Sequence, residues 1–537
     1  MKQIKNICLI ITGILLIVSC NKKIESLQTD PNNPTSVTPN LILGNVLNSV
    51  SGSGSANLGG INSWDNVHDW NQYHCQNYDY YGNNIYSWTN GSFSPYLVLK
   101  NVAQMETEAT ARGAASVNPY EAVGKFVRAY YYYNMTSLFG DIPQAQALQA
   151  GNATPAYTSQ KQVFQYILNI LDTANTHFAT LISKNDNSLS ATQDLFYQGN
   201  LVKWQKLVNS FKLRVLISLS GKSSDPDLNV AAQFAAILNN PSTYPVFTSQ
   251  SDDMAYVYNP GGSNAYSLYP FNPSNFGSIA GRFNMAATYV STLTSLQDPR
   301  VFVTCEPAWA LVGSDPNPVN FNYFVGASTG EPLATMYGNA NAGKYSYINR
   351  NRYYKNFTGE PDVLVGYKEL CFNIAEGITR GWATGNAEAY YKTGIAESMN
   401  FYGIGIAKSV FTAYFLPGGT GALSSITAYP VSFNFANYYA QPSVMLSSTA
   451  STAISQIVLQ KYIASFENSG YEAYYNWRRT GVPAFQGGSG VGNNGIVPKR
   501  WAYPVSEQAQ NAANYKAALT AQGYTADDLN QTMWILK

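Results

Sequence analysis

The sequence predicts a mostly α-helical fold, in which TPR-like helical hairpins form a scaffold with long irregular aromatic-rich loops and few short strands. Apolar residues recur at helical spacing in several segments that begin with N-cap residues. Two of these segments are separated only by residues 381–385, so they are expected to pack as an antiparallel hairpin. Stretches rich in Gly, Asn, Pro and aromatic residues near 61–93, 242–284 and 306–357 predict loop excursions.

The first 40 residues predict export and a lipid anchor. Lys2 and Lys5 precede a largely apolar run at 7–18, which is too short to span a bilayer and is typical of a signal peptide. Cys20 follows the run as in a bacterial lipobox, so 1–19 is the predicted signal peptide and Cys20 the predicted lipidation site. An ordinary signal peptide with a chance cysteine is the alternative. Residues 20–40 contain a Pro- and Asn-rich tether.

The remaining chain, 41–537, is interpreted as one helical domain. In its first half, Asn118 with Glu121 and Ser159 with Gln162 form N-terminal capping patterns ahead of apolar stripes. A third helix is predicted to start near Asn200. Each of these starts is a local signal, so it predicts where a helix begins but not what the helix packs against.

The second half of the chain has the same character. Helical spacing of apolar residues recurs in 370–378, 387–402, 454–466 and 471–479. A division into two domains near residue 240 is the alternative to one scaffold. A single scaffold with large excursions is the simpler interpretation.

The composition argues against ionic ligands. Only 12% of the 537 residues are charged, and 32 basic against 31 acidic residues give a net charge of +1. A typical soluble domain carries roughly 25% charged residues. No basic tract exceeds three residues, so no nucleic-acid partner is predicted. Tyrosine is abundant, with 41 residues, and a Tyr-rich surface suits an uncharged polar ligand or a partner protein.

Patterns for catalysis, metals or cofactors are weak. The three histidines lie in no HExxH frame and no GxSxG motif accompanies them. His68, Asp69 and His74 match no common zinc spacing, so ordinary hydrogen-bonded side chains are expected and no metal or cofactor is predicted. Asp65 and Asp69 are the one acid pair that a glycosidase could use. The GxGxxG at 490–495 follows no clear strand and is predicted to be a flexible loop.

Aromatic residues interleaved with amides provide the main binding signal. A pyranose has apolar C–H faces and a rim of hydroxyls, so rings can stack on its faces while amides bond its hydroxyls. Burial is the common fate of aromatic side chains, so packing inside a loop is the alternative for each ring. The predicted ligand-binding residues are Trp64, Trp70, Tyr73, Tyr81, Trp88, Tyr269 and Trp309.

Segments along nearly the whole chain resemble one known family. They are Cys20 with its tether, VGKFVRAYYYYNMTSLFGDIP at 123–143, DLFYQGNLVKWQKLVNSFKLRVL at 194–216, DPR at 298–300, KELCFNIAEGITRG at 368–381, AEAYYKTGIAESMNFYG at 387–403, QKYIASFENSGYEAYYNWRRTGVP at 460–483 and PKRWAYPVSEQAQN at 498–511. In this order they resemble the SusD-like (SusD/RagB) outer-membrane lipoproteins of Bacteroidetes.

The resemblance implies a non-catalytic, lipid-anchored protein on the extracellular face of the outer membrane. Such a protein binds a nutrient, here expected to be an oligosaccharide, and delivers it to a SusC-like TonB-dependent transporter. A peptide-binding member of the same family and a lipid-anchored glycoside hydrolase are the alternatives. Binding residues vary between members, so the family implies none of the seven aromatic residues.

Overall fold

The computed structural model describes residues 37–51, 66–78, 88, 91–261 and 268–537. Within these ranges helices dominate, so the predicted mostly α-helical fold is confirmed. The helices of seven or more residues in the first half are α1 (Pro39–Val50), α3 (Pro95–Ala111), α4 (Pro119–Phe139), α5 (Gln160–Ser183), α6 (Leu201–Ser218) and α7 (Val230–Asn239), with the short α2 (Asn66–Trp70) before α3.

The second half contains more short helices and the longer strands. Its helices are α8 (Phe276–Ile279), α9 (Ala287–Ser295), α10 (Val301–Thr304), α11 (Trp309–Val312), α12 (Leu333–Asn341), α13 (Arg350–Tyr354), α14 (Tyr367–Thr379), α15 (Ala387–Phe401), α16 (Phe435–Tyr439), α17 (Ala450–Ala464), α18 (Glu472–Thr480), α19 (Val505–Gln510) and α20 (Ala512–Ala521). The strands in the described ranges are β1 (His74–Gln76), β2 (Met254–Tyr256), β3 (Phe283–Met285), β4 (Asp362–Val365), β5 (Val410–Phe415) and β6 (Thr427–Ser432).

The predicted helix starts are confirmed by their caps. The Asn118 side chain accepts the Glu121 amide N–H at 3.1 Å, and the Ser159 side chain caps α5 in the same way. Asn200 caps α6. Each cap satisfies one backbone N–H that has no partner in the first turn of a helix.

The helices bury two large apolar clusters that meet along α14. The first lies among α1 and α3–α7, and the second among α9, α14–α17 and the β5–β6 hairpin. α14 packs against α15, as the short turn at 381–385 predicted, and also against α6 and α17. Among the helices described, none combines the length and the apolar character that crossing a membrane requires.

Two predicted excursions contain more regular structure than their composition suggests. The segment 242–284 includes β2, α8 and most of β3, and 306–357 includes α11, α12 and α13. β1 pairs with β3, and β2 with β4, both antiparallel. These pairings join segments more than 100 residues apart, which local sequence patterns cannot reveal. Much of 61–93 lies outside the described residues.

The GxGxxG segment is a loop of two short turns, and backbone hydrogen bonds hold it against a second loop. The Gly490 N–H donates to the Gly330 carbonyl at 3.1 Å, and the Gly488 N–H to the Gly495 carbonyl at 2.9 Å. A Cβ atom on Gly330 would lie 1.9 Å from the Gly487 carbonyl oxygen. The glycines therefore let two loops approach at backbone distance.

Candidate functional site

Most of the predicted binding rings lie in the protein interior. Trp64 and Tyr81 fall outside the described residues. Of the other five, four are buried in the two apolar clusters: Trp70, Tyr73, Trp88 and Tyr269. Trp309 is the one of the five that is partly open to solvent.

The buried rings are enclosed by other aromatic side chains. Trp70 stacks on Trp88 and on Tyr471, with both pairs of ring centroids 5.4 Å apart. Tyr73 stacks on Tyr462 at 4.7 Å. The neighbouring rings cover faces of Trp70 and Tyr73 on which a ligand was predicted to stack. The packing alternative accounts for them, since aromatic pairs and buried apolar area stabilise a core.

Trp309 rests on the turn that joins β5 to β6. A Cβ atom on Gly419 would lie 2.6 Å from Cδ1 of Trp309, so the indole and the backbone of this turn are in direct contact. The Ala308 N–H donates to the Tyr323 carbonyl at 2.7 Å. Two segments distant in sequence therefore position the indole, which stays partly exposed.

A buried ion pair holds the hairpin turn beneath Trp309. Nε of Arg350 donates to Oε1 of Glu306 at 3.1 Å, and Nη2 donates to Oε2 of the same carboxylate. Nη1 of Arg350 donates to the Gly419 carbonyl at 2.8 Å. Charge-assisted bonds of this kind fix geometry well. Neither Glu306 nor Arg350 was predicted to contribute to the site, because no local sequence signal links two residues that are 44 positions apart.

Polar side chains shape the loop that follows α11. The Tyr323 hydroxyl donates to Oδ2 of Asp315 at 2.6 Å, and this hydrogen bond raises the pKa of Tyr323. Asn317 and Asn320 accept backbone N–H bonds that shape the adjoining loop. A partly exposed indole followed by a loop with hydroxyl and amide groups is an arrangement that can bind an uncharged polyhydroxy ligand.

The histidines at 68 and 74, with Asp69, are structural residues in the protein interior. His68, Asp69 and His74 are buried, and in the described ranges no three potential metal ligands come together. Nε2 of His74 lies 2.9 Å from Oε1 of Glu467. Burial lowers the pKa of His74 to about 3. Burial, with repulsion from Glu360, raises the pKa of Glu467 well above its usual range. Both shifts favour the neutral form of the side chain concerned.

The Glu467 carboxyl is expected to make the native protein less stable as pH rises. Glu467→Gln should abolish this contribution. The folded state holds the Glu467 proton more tightly than the unfolded state, so native stability falls between the ordinary carboxyl pKa and the raised one. The slope reaches about 1.4 kcal/mol per pH unit. Urea denaturation from pH 5 to 8 should show the variant gaining stability relative to the native protein. A constant difference across this range would contradict the assignment.

One family matches the greater part of the chain. A family model named SusD-like, described as starch-binding and associating with the outer membrane, matches residues 31–504. No curated protein matches the chain significantly.

Solved structures of similar proteins have the same fold. A SusD homologue from Bacteroides fragilis is 27% identical and has a TM-score of 0.78 over 93% of this chain and 100% of its own. An outer membrane protein from Bacteroides vulgatus, described in terms of nutrient binding, is 30% identical with a TM-score of 0.76 and the same coverage. A chitin-binding SusD homologue from Flavobacterium johnsoniae, 20% identical over 93% of this chain and 98% of its own, has a TM-score of 0.67, which shows the fold alone.

Proposed function

Because the chain belongs to the SusD-like family of outer-membrane nutrient-binding proteins, which are not enzymes, we propose that it binds an oligosaccharide at the cell surface. It then delivers this ligand to a SusC-like TonB-dependent transporter. Cys20, after a signal peptide at 1–19, carries the lipid anchor. The tether, predicted at 20–40, holds the single domain 41–537 on the extracellular face and ends before α1, which already begins at Pro39. The lipobox pattern supports the anchor.

The observation that carries the choice of ligand is the partly exposed Trp309 over the hairpin turn. Its supporting charges, Glu306 and Arg350, neutralise each other in the interior. The low overall content of charged residues agrees with a neutral ligand. A sugar ring can stack on the indole without any compensating charge.

The two alternatives, a peptide ligand and a glycoside hydrolase, are not equally supported. A peptide ligand would also tolerate an uncharged aromatic surface, so it remains the second candidate for this site. A glycoside hydrolase has less support, because Asp69 is only 3% exposed and Asp65 lies outside the described residues. A catalytic acid must come within hydrogen-bonding distance of the glycosidic oxygen.

Calorimetry with soluble maltooligosaccharides and chitooligosaccharides tests the proposal directly. One of these neutral glycans is expected to bind, and Trp309→Ala should weaken its binding about 10- to 30-fold, as loss of a central aromatic contact does. Trp382→Ala is the control, since Trp382 is also half-buried but lies in the turn after α14.

Two results would contradict the proposal in different ways. If no glycan binds and a neutral peptide binds that Trp309→Ala weakens, the ligand class at this site is a peptide. Equal weakening by the two tryptophan variants would show that Trp309 is not the contact.

A further inference from the structure

The β5–β6 hairpin has a free edge along β5. Phe411 pairs with Val431 and Thr412 with Pro430 in an antiparallel register. The Phe433 N–H donates to the Ser409 carbonyl at 2.9 Å, directly beyond the end of the ladder. Hydrogen-bonded pairs alternate in such a ladder, so the backbone groups at 410, 412 and 414 point away from β6.

The two edges of the hairpin differ in the backbone N–H groups that they present to a further strand. Pro430 lies opposite Thr412 and faces outward from β6, where it has no N–H to donate. The β5 edge contains no proline. The Tyr414 carbonyl on this edge accepts Nδ2 of Asn349 at 3.0 Å. The register turns the backbone N–H groups of Thr412 and Tyr414 away from β6, and within the described ranges neither donates to backbone outside the hairpin. The β5 edge is therefore open to a further strand and the β6 edge is interrupted.

A cavity of about 380 Å³ lies directly along this open edge. Thr412, Ala413 and Tyr414 form one side of it. The residues on its other sides are Phe302, Val303, Asn349, Asn351, Arg352, Tyr402 and Gly403.

The cavity has no net charge to offer a ligand. Nε of Arg352 donates to Oε2 of Glu360 at 2.6 Å, and its Nη groups donate to the carbonyls of Phe401 and Tyr402. The side chain of Asn351 has no hydrogen-bond partner among the residues that the structure describes. The lining thus combines apolar side chains with one spare amide and one neutralised cation.

We propose that the β5 edge binds a short, extended oligopeptide as a third strand of the hairpin, at a site separate from Trp309. A strand presents N–H and C=O groups toward its neighbour at every second residue, which matches the spacing of 410, 412 and 414. Alternate side chains of the peptide enter the cavity beside Phe302, Val303 and Tyr402, so apolar side chains are preferred there.

The size of the edge decides between a peptide and a second copy of this chain. The edge is six residues long, and Asn349 occupies its last outward carbonyl. A stable protein interface buries roughly 800 Å² on each partner, more than this short edge and its cavity provide. A segment of a few residues fits the site.

The probe is an acetylated, amidated pentapeptide of alternating Val and Thr, measured by calorimetry with the whole protein. Binding is expected, and N-methylation of one alternate set of its amides should weaken binding at least tenfold while methylation of the other set leaves it unchanged. This comparison needs no variant protein. Absence of binding, or equal binding of both methylated peptides, would overturn the proposal.

Protein variants locate the site. Thr412→Pro removes one outward N–H from β5 and is expected to weaken the pentapeptide at least tenfold. Ala428→Pro removes an outward N–H from β6 and should have no effect. The glycan that binds the native protein should bind Thr412→Pro normally. Displacement of the peptide by that glycan, or a dimer in analytical ultracentrifugation that Thr412→Pro dissociates, would overturn the assignment.

Discussion

Arg300→Met is expected to lower the free energy of unfolding by about 3–5 kcal/mol, the usual cost of breaking a buried ion pair from one side. Arg300 is fully buried, and its Nε donates to Oδ1 of Asp298 at 2.9 Å. Nη1 donates to Oγ of Ser398 in α15, and Nη2 to Oε1 of Gln460 in α17. Methionine fills much of the volume but leaves the Asp298 carboxylate buried without its cation.

Urea denaturation followed by circular dichroism measures this loss. Lys392→Met is the control, because Lys392 pairs with Glu388 on the surface, where the two side chains are 45% and 47% exposed. An exposed pair contributes about 0–1 kcal/mol. The double variant Asp298→Asn with Arg300→Met should recover part of the loss, since it removes the unpaired charge as well. A loss below 1 kcal/mol in Arg300→Met would show that the pair does not join these helices.

Gly419→Ala is expected to weaken oligosaccharide binding as much as Trp309→Ala and to destabilise the fold by about 2–4 kcal/mol. Gly419 has a φ of +70°, and any residue with a Cβ in this backbone conformation destabilises the fold. Its new methyl group would also lie 2.6 Å from Cδ1 of Trp309, so the indole or the turn must move. Displacing the indole changes the surface on which the sugar ring stacks.

Gly418→Ala separates these two effects. Gly418 has nearly the same φ, +68°, but a Cβ there would meet no atom within 4 Å. This control is expected to lose about 1 kcal/mol of stability and no affinity for the malto- or chitooligosaccharide that the native protein binds. Calorimetry on the two variants side by side gives the comparison. If both bind this glycan as tightly as the native protein does, Trp309 is not positioned by the turn or does not contact the sugar.

The parts of the fold that the sequence predicted are those determined within a few residues. Asn118 and Glu121 are three residues apart, and their cap is present as predicted. The turn at 381–385 joins α14 to α15, which pack together. The DPR segment at 298–300, one of those that indicated the family, proves to contain a buried ion pair. Local spacing carries this information because helix geometry repeats every 3.6 residues.

The binding site was harder to predict because residue type does not reveal exposure. Trp70 and Trp309 are the same amino acid in loop-rich stretches of similar composition. Trp70 is buried between Trp88 and Tyr471, whereas Trp309 packs on a turn and stays partly exposed. The Glu306–Arg350 pair that holds this turn spans 44 residues and matches no motif.

The sequence by itself therefore determined the helical class, the helix starts and the family of this protein, because those features depend on short-range periodicity and on segments read in order. Only the tertiary structure decided which rings face solvent and which hairpin edge is open. Burial and strand pairing are set by contacts between segments far apart in the chain, such as Trp70 with Tyr471 or Trp309 with Gly419.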